Sequence, residues 1–546
     1  MKNTGNLLSI KNLKKYFPIA KKSIFEREQL YVRANEDITL DIRNGETLGL
    51  VGESGCGKST LGRTVLQLYE QTAGSTMYYG RNIDEFAPAY VAYTLKNAVK
   101  MIVEYKNLEE KAIDLGRECE DFGAEATFYQ LQRRNLAIAE ASVAKHKVAK
   151  ILGGFMALDD PTEGARLLLN KHNAAFKLNK QKRELKIIEN QIKYERAILG
   201  DTRVADKKRE SAKAQIKGDI KKRERMLSLF NEYKSDLKSA ESAVKDLKSR
   251  YADNKDFLEY EKYLDDGIDL TRLNYNEMRA LRRDLQIIFQ DPYSSLNPRM
   301  TVGQIIEEGL VTHGFFKHGS PEMKEYILSI MRKCGLQDYM IHRYPHQFSG
   351  GQRQRICIAR ALAVKPRFVV CDECVSALDV SIQSQIINLL EELKKKERLT
   401  YLFISHDLSV VRYISDRIGV MYLGNIVELG DAATVFKDPR HPYTVALLSS
   451  IPTTDSEALK KERIILQGSI PSPIRPPEGC KFHTRCFMAC EKCKRVPPPL
   501  VEVEEGHFVA CHFLDKKMDE EGNYLFELPK MEKKSSRLEE LKVEHK

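Results

Sequence analysis

The sequence contains no stretch of about 18 uninterrupted apolar residues, which excludes a transmembrane helix. It opens with Met1-Lys2-Asn3-Thr4-Gly5 and runs on into mixed polar residues, without the apolar centre of a secretory signal. Basic residues are not gathered into one tail. The formal net charge is +11, but through the middle of the chain lysines alternate with glutamates. Solvated helix faces explain that pattern, and a nucleic-acid surface is allowed but not required. From about Ala89 to about Asp266 strand signal is scarce and no catalytic motif occurs. The 11 cysteines, in a chain without secretory features, argue against a disulfide framework and for scattered apolar thiols plus any metal site. These absences predict a soluble, cytoplasmic protein, one that needs a spanning partner if it works at a membrane.

At 546 residues the chain is too long for one core, and two or three domains are expected. It is organised around Gly52-Glu53-Ser54-Gly55-Cys56-Gly57-Lys58-Ser59-Thr60. The apolar run Thr47–Val51 precedes this stretch, and Leu61, Val65, Leu66 and Leu68 follow at helical spacing. Strand, glycine loop and helix form the context of a phosphate-binding loop. Glycines let backbone N–H groups curl around phosphate oxygens, and the helix start adds its positive dipole end. Lys58 is positioned for the β- and γ-phosphates and the Ser59 hydroxyl for Mg²⁺, with Thr60 beside it.

Leu8–Leu13 and Ile38–Ile42 alternate apolar with polar residues and read as opening strands of an α/β domain. Tyr16 and Phe17 end one of them, where an aromatic ring either stacks on adenine or simply packs. Helical patterns then take over. Leu95, Val99, Ile102 and Tyr105 share a face. A second helix runs from about Ala124 to Leu152, and a third through Leu185, Ile188, Ile192 and Leu199. Phe230, Tyr233, Leu237, Ala240, Val244, Leu247 and Tyr251 form an a/d heptad seam. The third and fourth stretches pair as an antiparallel coiled-coil hairpin or join a small bundle. The α/β pattern resumes at Leu281. Leu285–Phe289, Arg367–Glu373 and Leu402–Asp407 read as strands, and Ile418–Glu428 as two edge strands around a turn. Beyond about residue 452 the chain is rich in proline and cysteine, with Pro471–His512 too poor in apolar periodicity for a conventional core.

Asp372 and Glu373 end an apolar strand, which suits them to hold Mg²⁺ and to act as general base on the attacking water. Ser349-Gly350-Gly351-Gln352 combines a hydroxyl, bare amides and a helix start. That is either an ordinary N-cap or a second anion site. One nucleotide already fills the first site, so a second one suggests a γ-phosphate contributed by another subunit.

With these residues in view, the sequence resembles the nucleotide-binding subunits of ABC transporters over roughly residues 5–85 and 268–515. The resemblance rests on Gly52–Thr60, Gln290, Phe348–Gln352, Cys371-Asp372-Glu373, Ser376–Asp379 and His406. It narrows to the oligopeptide/dipeptide importer ATPases through Phe289–Val302 and His441-Pro442-Tyr443-Thr444, and within them to the F-type subunit. It implies an ATPase whose cofactor-binding residues are Gly52, Ser54, Gly55, Cys56, Gly57, Lys58, Ser59, Thr60, Gln290, Asp372, Phe17, Ser349, Gly350, Gly351, Gln352 and Asp379. Ser59, Gln290 and Asp372 would serve Mg²⁺, while Glu373, His406, Gln290 and Lys58 would be catalytic. It implies head-to-tail closure with a second, D-type ATPase around two ATPs, two transmembrane permease subunits, an extracellular peptide-binding protein reached indirectly, and no nucleic acid. Placement is then peripheral, on the cytoplasmic face of the cell membrane. Cys374 departs from the family's usual proline, as a tolerated small residue or a redox-sensitive thiol.

Cys480, Cys486, Cys493 and Cys511 match the family's C-terminal segment, where four cysteines hold a [4Fe–4S] cluster. Four thiolates also suit zinc, and Cys490 can substitute as a ligand. The organisation expected is therefore an ABC ATPase domain in two parts, 1–88 and 267–451, with a helical, coiled-coil insertion at 89–266. A Pro/Cys-rich metal-binding segment at 452–530 and a charged tail at 531–546 follow. A DNA-repair or chromosome ATPase of the SMC type is the alternative. It is disfavoured by the position of the insertion before Gln290, the shortness of its hairpin and the lack of a cysteine hook at its tip.

Overall fold

The structure is a computed structural model that describes residues 5–21, 30–122, 128–200, 205–316, 318–450 and 464–513. The expected charged tail at 531–546 lies outside the described residues, as do 452–463 and 514–530 of the segment before it. The chain divides into two compact units, residues 10–73 with 283–546, and residues 1–9 with 74–282.

The first unit is built on a sheet of eight strands among the described residues. In spatial order they are Val501–Glu504, His507–Val509, Asn425–Asp431, Arg417–Tyr422, Thr47–Val51, Thr400–Ile404, Phe368–Asp372 and Leu285–Ile288. The last five are parallel neighbours. Thr47–Val51, Phe368–Asp372 and Thr400–Ile404 are buried at every residue, as strands covered on both faces must be, which is why they read as continuous apolar runs. Their register sets Leu50 beside Ile404, and Ile404 beside Asp372. The loops leaving these three strands therefore emerge side by side at one sheet edge, where α/β folds place ligands.

The segment Ile418–Glu428 does not supply edge strands. Its hairpin, Arg417–Tyr422 and Asn425–Asp431, is interior, because His507–Val509 pairs with Asn425–Asp431 through Glu428↔Val509 and Leu429↔Phe508. The cysteine-bearing segment thus completes the sheet. Its Phe482 is 1% exposed and belongs to the main core.

The second unit is mostly helical. Ala73–Tyr78 pairs antiparallel with Ile268–Asp269, through Met77↔Asp269 and Tyr78↔Ile268. Between these strands lie the helices Ala89–Lys96, Ala98–Phe122, Phe128–Leu152, Thr162–Gly200, Asp206–Ser249 and Lys255–Glu261. The first face differs from the sequence reading. The helix breaks at Asn97, and the shift in phase leaves Val99 51% exposed while Leu95, Ile102 and Tyr105 are buried. Thr162–Gly200, about 58 Å long at 1.5 Å per residue, packs against Asp206–Ser249. Lys177 lies over the Tyr233 ring, Gln181 bonds the Met226 carbonyl and Glu189 faces Arg223, so the two helices run antiparallel. Leu185, Ile188, Ile192 and Met226 fill their seam. The heptad seam splits between two clusters. Phe230 joins that outer seam, whereas Val244, Leu247 and Tyr251 join a basal cluster with Leu95, Ile102, Leu152, Phe155 and Phe257.

Candidate functional site

The loop Gly52–Thr60 leaves the strand Thr47–Val51 and enters the helix Lys58–Val65. Two of its glycines are obligatory. Gly52 has φ 148°, and a Cβ there would meet the Met421 carbonyl at 2.2 Å. Gly57 has φ 99°, and a Cβ would meet the Ala34 carbonyl at 2.1 Å. Gly57 caps the helix without a side chain, so the first amides face an open loop, the arrangement that receives phosphate. Lys58 is 4% exposed, and its ammonium donates to the carbonyls of Gly52 at 2.7 Å and Glu53 at 3.2 Å.

Asp372 ends the neighbouring strand and is 1% exposed. Its Oδ2 accepts from Arg63 Nη2 at 3.2 Å, and its Oδ1 is buried with no protein donor. A buried carboxylate oxygen without a partner is costly unless a cation or its water meets it, so the residue fits the Mg²⁺ role. Glu373, next in the chain, has φ 48°, a left-handed elbow that costs a non-glycine residue about 1 kcal/mol or more. Its amide donates to the Ile404 carbonyl at 3.0 Å, which fixes the elbow against the adjoining strand. The Glu373 Oε2 accepts from Gln290 Nε2 at 2.8 Å and lies 3.5 Å from His406 Nδ1. Three residues far apart in sequence thus meet at one carboxylate oxygen.

The remaining expected residues are placed as follows. Ser349 caps the helix Gly350–Ala363 in a reciprocal box with Gln352. A Cβ on Gly351 would strike Ile382 at 2.5 Å, and one on Gly350 would reach Leu378, so this turn packs against the segment around Asp379 and not against Gly52–Thr60. Asp379 caps the helix Val380–Glu397, accepting from the Ile382 amide and the Ser381 hydroxyl, and the latter bond holds its carboxyl below the usual range. Phe17 meets Tyr69 edge-on at 5.4 Å between centroids, with Lys15 Nζ 4.6 Å from its ring. Tyr69 in turn accepts from Arg63 Nη1 at 3.3 Å, which connects the Phe17 aromatic to Asp372 through one arginine. Arg63 and Tyr69 escape sequence reasoning, because nothing in their spacing marks them. Cys374 is 2% exposed, and a hydrogen bond with it pushes the buried Cys371 thiol up, with burial adding to the effect.

The cysteine segment folds on itself. The Cys480 amide donates to the Cys493 carbonyl at 2.7 Å, and the thiols of Cys490 and Cys493 are 3.6 Å apart. Burial pushes Cys486 up to about 12 and Cys511 up to about 11, and in both cases the thiols of Cys480 and Cys493 add to the effect. Among the described residues, however, no three His, Cys, Asp or Glu side chains are gathered tightly enough to chelate a metal ion.

A glycine loop with a buried lysine, set beside a carboxylate pair at the ends of parallel strands, defines a P-loop nucleotide hydrolase. The family model described as "ABC transporter" matches residues 35–152 and 259–376, and "Oligopeptide/dipeptide transporter, C-terminal region" matches 427–493. The putative oligopeptide transport ATP-binding protein YkfD of Bacillus subtilis is 53% identical over 247 residues, 45% of this chain and 75% of the relative. The oligopeptide transport ATP-binding protein AppF of the same organism is 52% identical over 248 residues, again 45% and 75%. The oligopeptide transport ATP-binding protein OppF of Haemophilus influenzae is 50% identical over 247 residues, 45% and 74%. The chain belongs to the ATP-binding subunits of peptide-importing ABC transporters. It is an ATPase. No helix among the described residues is long and apolar enough to cross a membrane.

Proposed function

We propose that the chain hydrolyses ATP to drive peptide uptake through two partner membrane subunits, paired with a second, D-type ATPase and bound peripherally at the cytoplasmic face. The meeting of Gln290 and His406 at Glu373, next to the orphaned oxygen of Asp372, carries this reading. Lys58 and the loop amides bind the β- and γ-phosphates, and Phe17 stacks on adenine. Ser59, Asp372 and Gln290 hold Mg²⁺, which neutralises charge on the phosphates when bound. Glu373 accepts the proton of the attacking water, and His406 orients that water and the γ-phosphate. Ser349–Gln352 and Asp379 serve the ATP held by the partner's loop. Gln290 passes the nucleotide state on, because the segment after it is tied to the helix Gly350–Ala363. Arg353 stacks over Tyr293, and Arg360 donates to the Ser295 carbonyl at 2.6 Å.

The cysteines Cys480, Cys486, Cys493 and Cys511 hold a [4Fe–4S] cluster of structural role. Support comes from the all-thiol donor set and from the fold of the segment, in which the Cys480 amide donates to the Cys493 carbonyl. Residues 89–266 are an insertion whose long hairpin is a coiled-coil arm that docks a partner. Phe176, Ile187 and Leu229, exposed on the two helices of that hairpin, suit that task. The test is reconstitution with two membrane subunits and a second ATPase in vesicles. ATP-dependent peptide uptake is expected with the wild-type chain. With Glu373→Gln, uptake and turnover should both fall by about a hundredfold or more while ATP still binds. Full uptake by that variant removes Glu373 from the role of base.

A further inference from the structure

Glu53 is the second residue of the phosphate loop, and all three of its polar parts are held. Its carbonyl accepts from Lys58 Nζ at 3.2 Å, and its amide donates to the Tyr443 hydroxyl at 2.9 Å. Its carboxylate takes both arms of the Arg485 guanidinium, Nη1 to Oε2 at 2.6 Å and Nη2 to Oε1 at 3.0 Å. Such a two-pronged pair fixes direction as well as distance. The Arg485 side chain is only 6% exposed, so water screens the pair little. Arg485 lies between Cys480 and Cys486. The same short segment contributes Phe482, which packs edge-on against Tyr422 and touches Tyr443, the residue that bonds the Glu53 amide. It also contributes Lys481, whose ammonium reaches Glu36 Oε2 at 3.0 Å and the Leu423 carbonyl at 2.9 Å. Glu36 accepts from the Tyr16 hydroxyl at 2.8 Å, one residue from Phe17. Burial opposes charge on Glu36, but Lys481 and Tyr16 outweigh it and hold its carboxyl below the usual range.

We infer that residues 480–486 are a positioning element of the nucleotide site, with Arg485 setting the curvature of the phosphate loop through Glu53 and Lys481 steadying the Tyr16–Phe17 strand through Glu36. Both arms of Arg485 are spent on Glu53. It acts through Glu53, whose carbonyl is one of the two that hold Lys58, so the loop and its lysine are oriented before nucleotide arrives. Preorganisation of this kind is read in binding, not in the chemical step. By linkage, whatever disorders the cysteine segment weakens nucleotide binding, and nucleotide in turn steadies the segment.

The inference rests on Gly52–Thr60 being the nucleotide loop, and Lys58→Ala tests that separately, since it should abolish turnover whatever Arg485 does. For Arg485→Gln and Glu53→Gln in the full-length chain, the readouts are KM and kcat for ATP and the affinity for a fluorescent ATP analogue without turnover. Each variant should raise KM and weaken the analogue by about tenfold, with kcat at saturating ATP lowered less than about threefold. The swapped double variant Glu53→Arg/Arg485→Glu should recover part of the lost affinity. Lys494→Gln, which removes an exposed pair with Glu491 in the same segment, should change nothing. If Arg485→Gln fails to fold, Glu53→Gln decides alone, since it breaks the same pair from its more exposed side. Folded variants with KM and analogue affinity within about twofold of wild type, or an equal loss in Lys494→Gln, overturn the inference.

Discussion

Arg63 Nη2 donates to Asp372 Oδ2 at 3.2 Å, and this bond leaves Oδ1 as the carboxylate oxygen with no protein partner. One oxygen is thereby fixed and the other aimed. Arg63→Met should raise the Mg²⁺ concentration needed for half-maximal ATPase and lower kcat/KM by about tenfold, and Arg63→Lys should restore part of the loss. A Mg²⁺ titration of turnover checks it. An unchanged Mg²⁺ requirement removes Arg63 from that role.

Stability should depend on pH through His441. Its imidazole is 2% exposed, and burial lowers its pKa from 6.5 to about 4, with the nearby Glu428 carboxylate opposing the shift. Its Nδ1 accepts from the Tyr443 amide at 3.1 Å, a bond that needs the neutral ring. Unfolded, the ring takes a proton near pH 6.5, and folded only near 4. Between these values the unfolded chain binds more protons, so stability is whole above the window and falls as pH drops through it, by up to about 3 kcal/mol. Urea unfolding at pH 7 and pH 4.5 should show this loss in the wild type and a smaller one in His441→Asn.

Iron and acid-labile sulfide measured on anaerobically purified protein should each approach about four per chain, with loss in Cys486→Ser. Cys490→Ser should keep most of the iron, because the expected set is complete without it. Stoichiometric zinc in place of iron would replace the cluster by a Cys₄ zinc site.

Removing residues 90–265 should leave intrinsic ATP turnover within about threefold and reduce peptide uptake by about tenfold, if the arm works by raising the local concentration of a partner. ATPase and vesicle uptake on the same preparation distinguish the two effects. A deletion that changes neither ends the docking role.

The residues that can be read from sequence are those whose chemistry is local. Gly52–Thr60 carries its own loop, and Asp372 with Glu373 ends a run of buried apolar residues that only a covered parallel strand explains. Gln290 and His406 are marked only by the family resemblance, and the structure adds that they share one oxygen of Glu373. What sequence could not deliver lies in pairs without local signal. Arg485 finds Glu53 from 432 positions away, across a proline-rich stretch with no apolar period. The hairpin Arg417–Asp431 reads as peripheral from sequence because its covering strand, His507–Val509, comes from that same stretch. The phase of Val99 is illegible in sequence because a single residue, Asn97, breaks an otherwise continuous helical pattern.

The pairing of Met77 with Asp269 and of Tyr78 with Ile268 has a consequence for the chain's history. It makes everything from Tyr79 to Gly267 the loop of one antiparallel hairpin, with both ends clamped a strand's width apart. Closing a loop costs free energy that grows only with the logarithm of its length, so a clamped pair of ends tolerates passengers of very different size. By that rule a shorter turn or another domain with adjacent termini would join Tyr78 to Ile268 at a closure cost close to the present one, and what the exchange gives up is local, the bond from the Asp269 amide to the Tyr90 hydroxyl and those from Arg272 to Thr94 and Lys147.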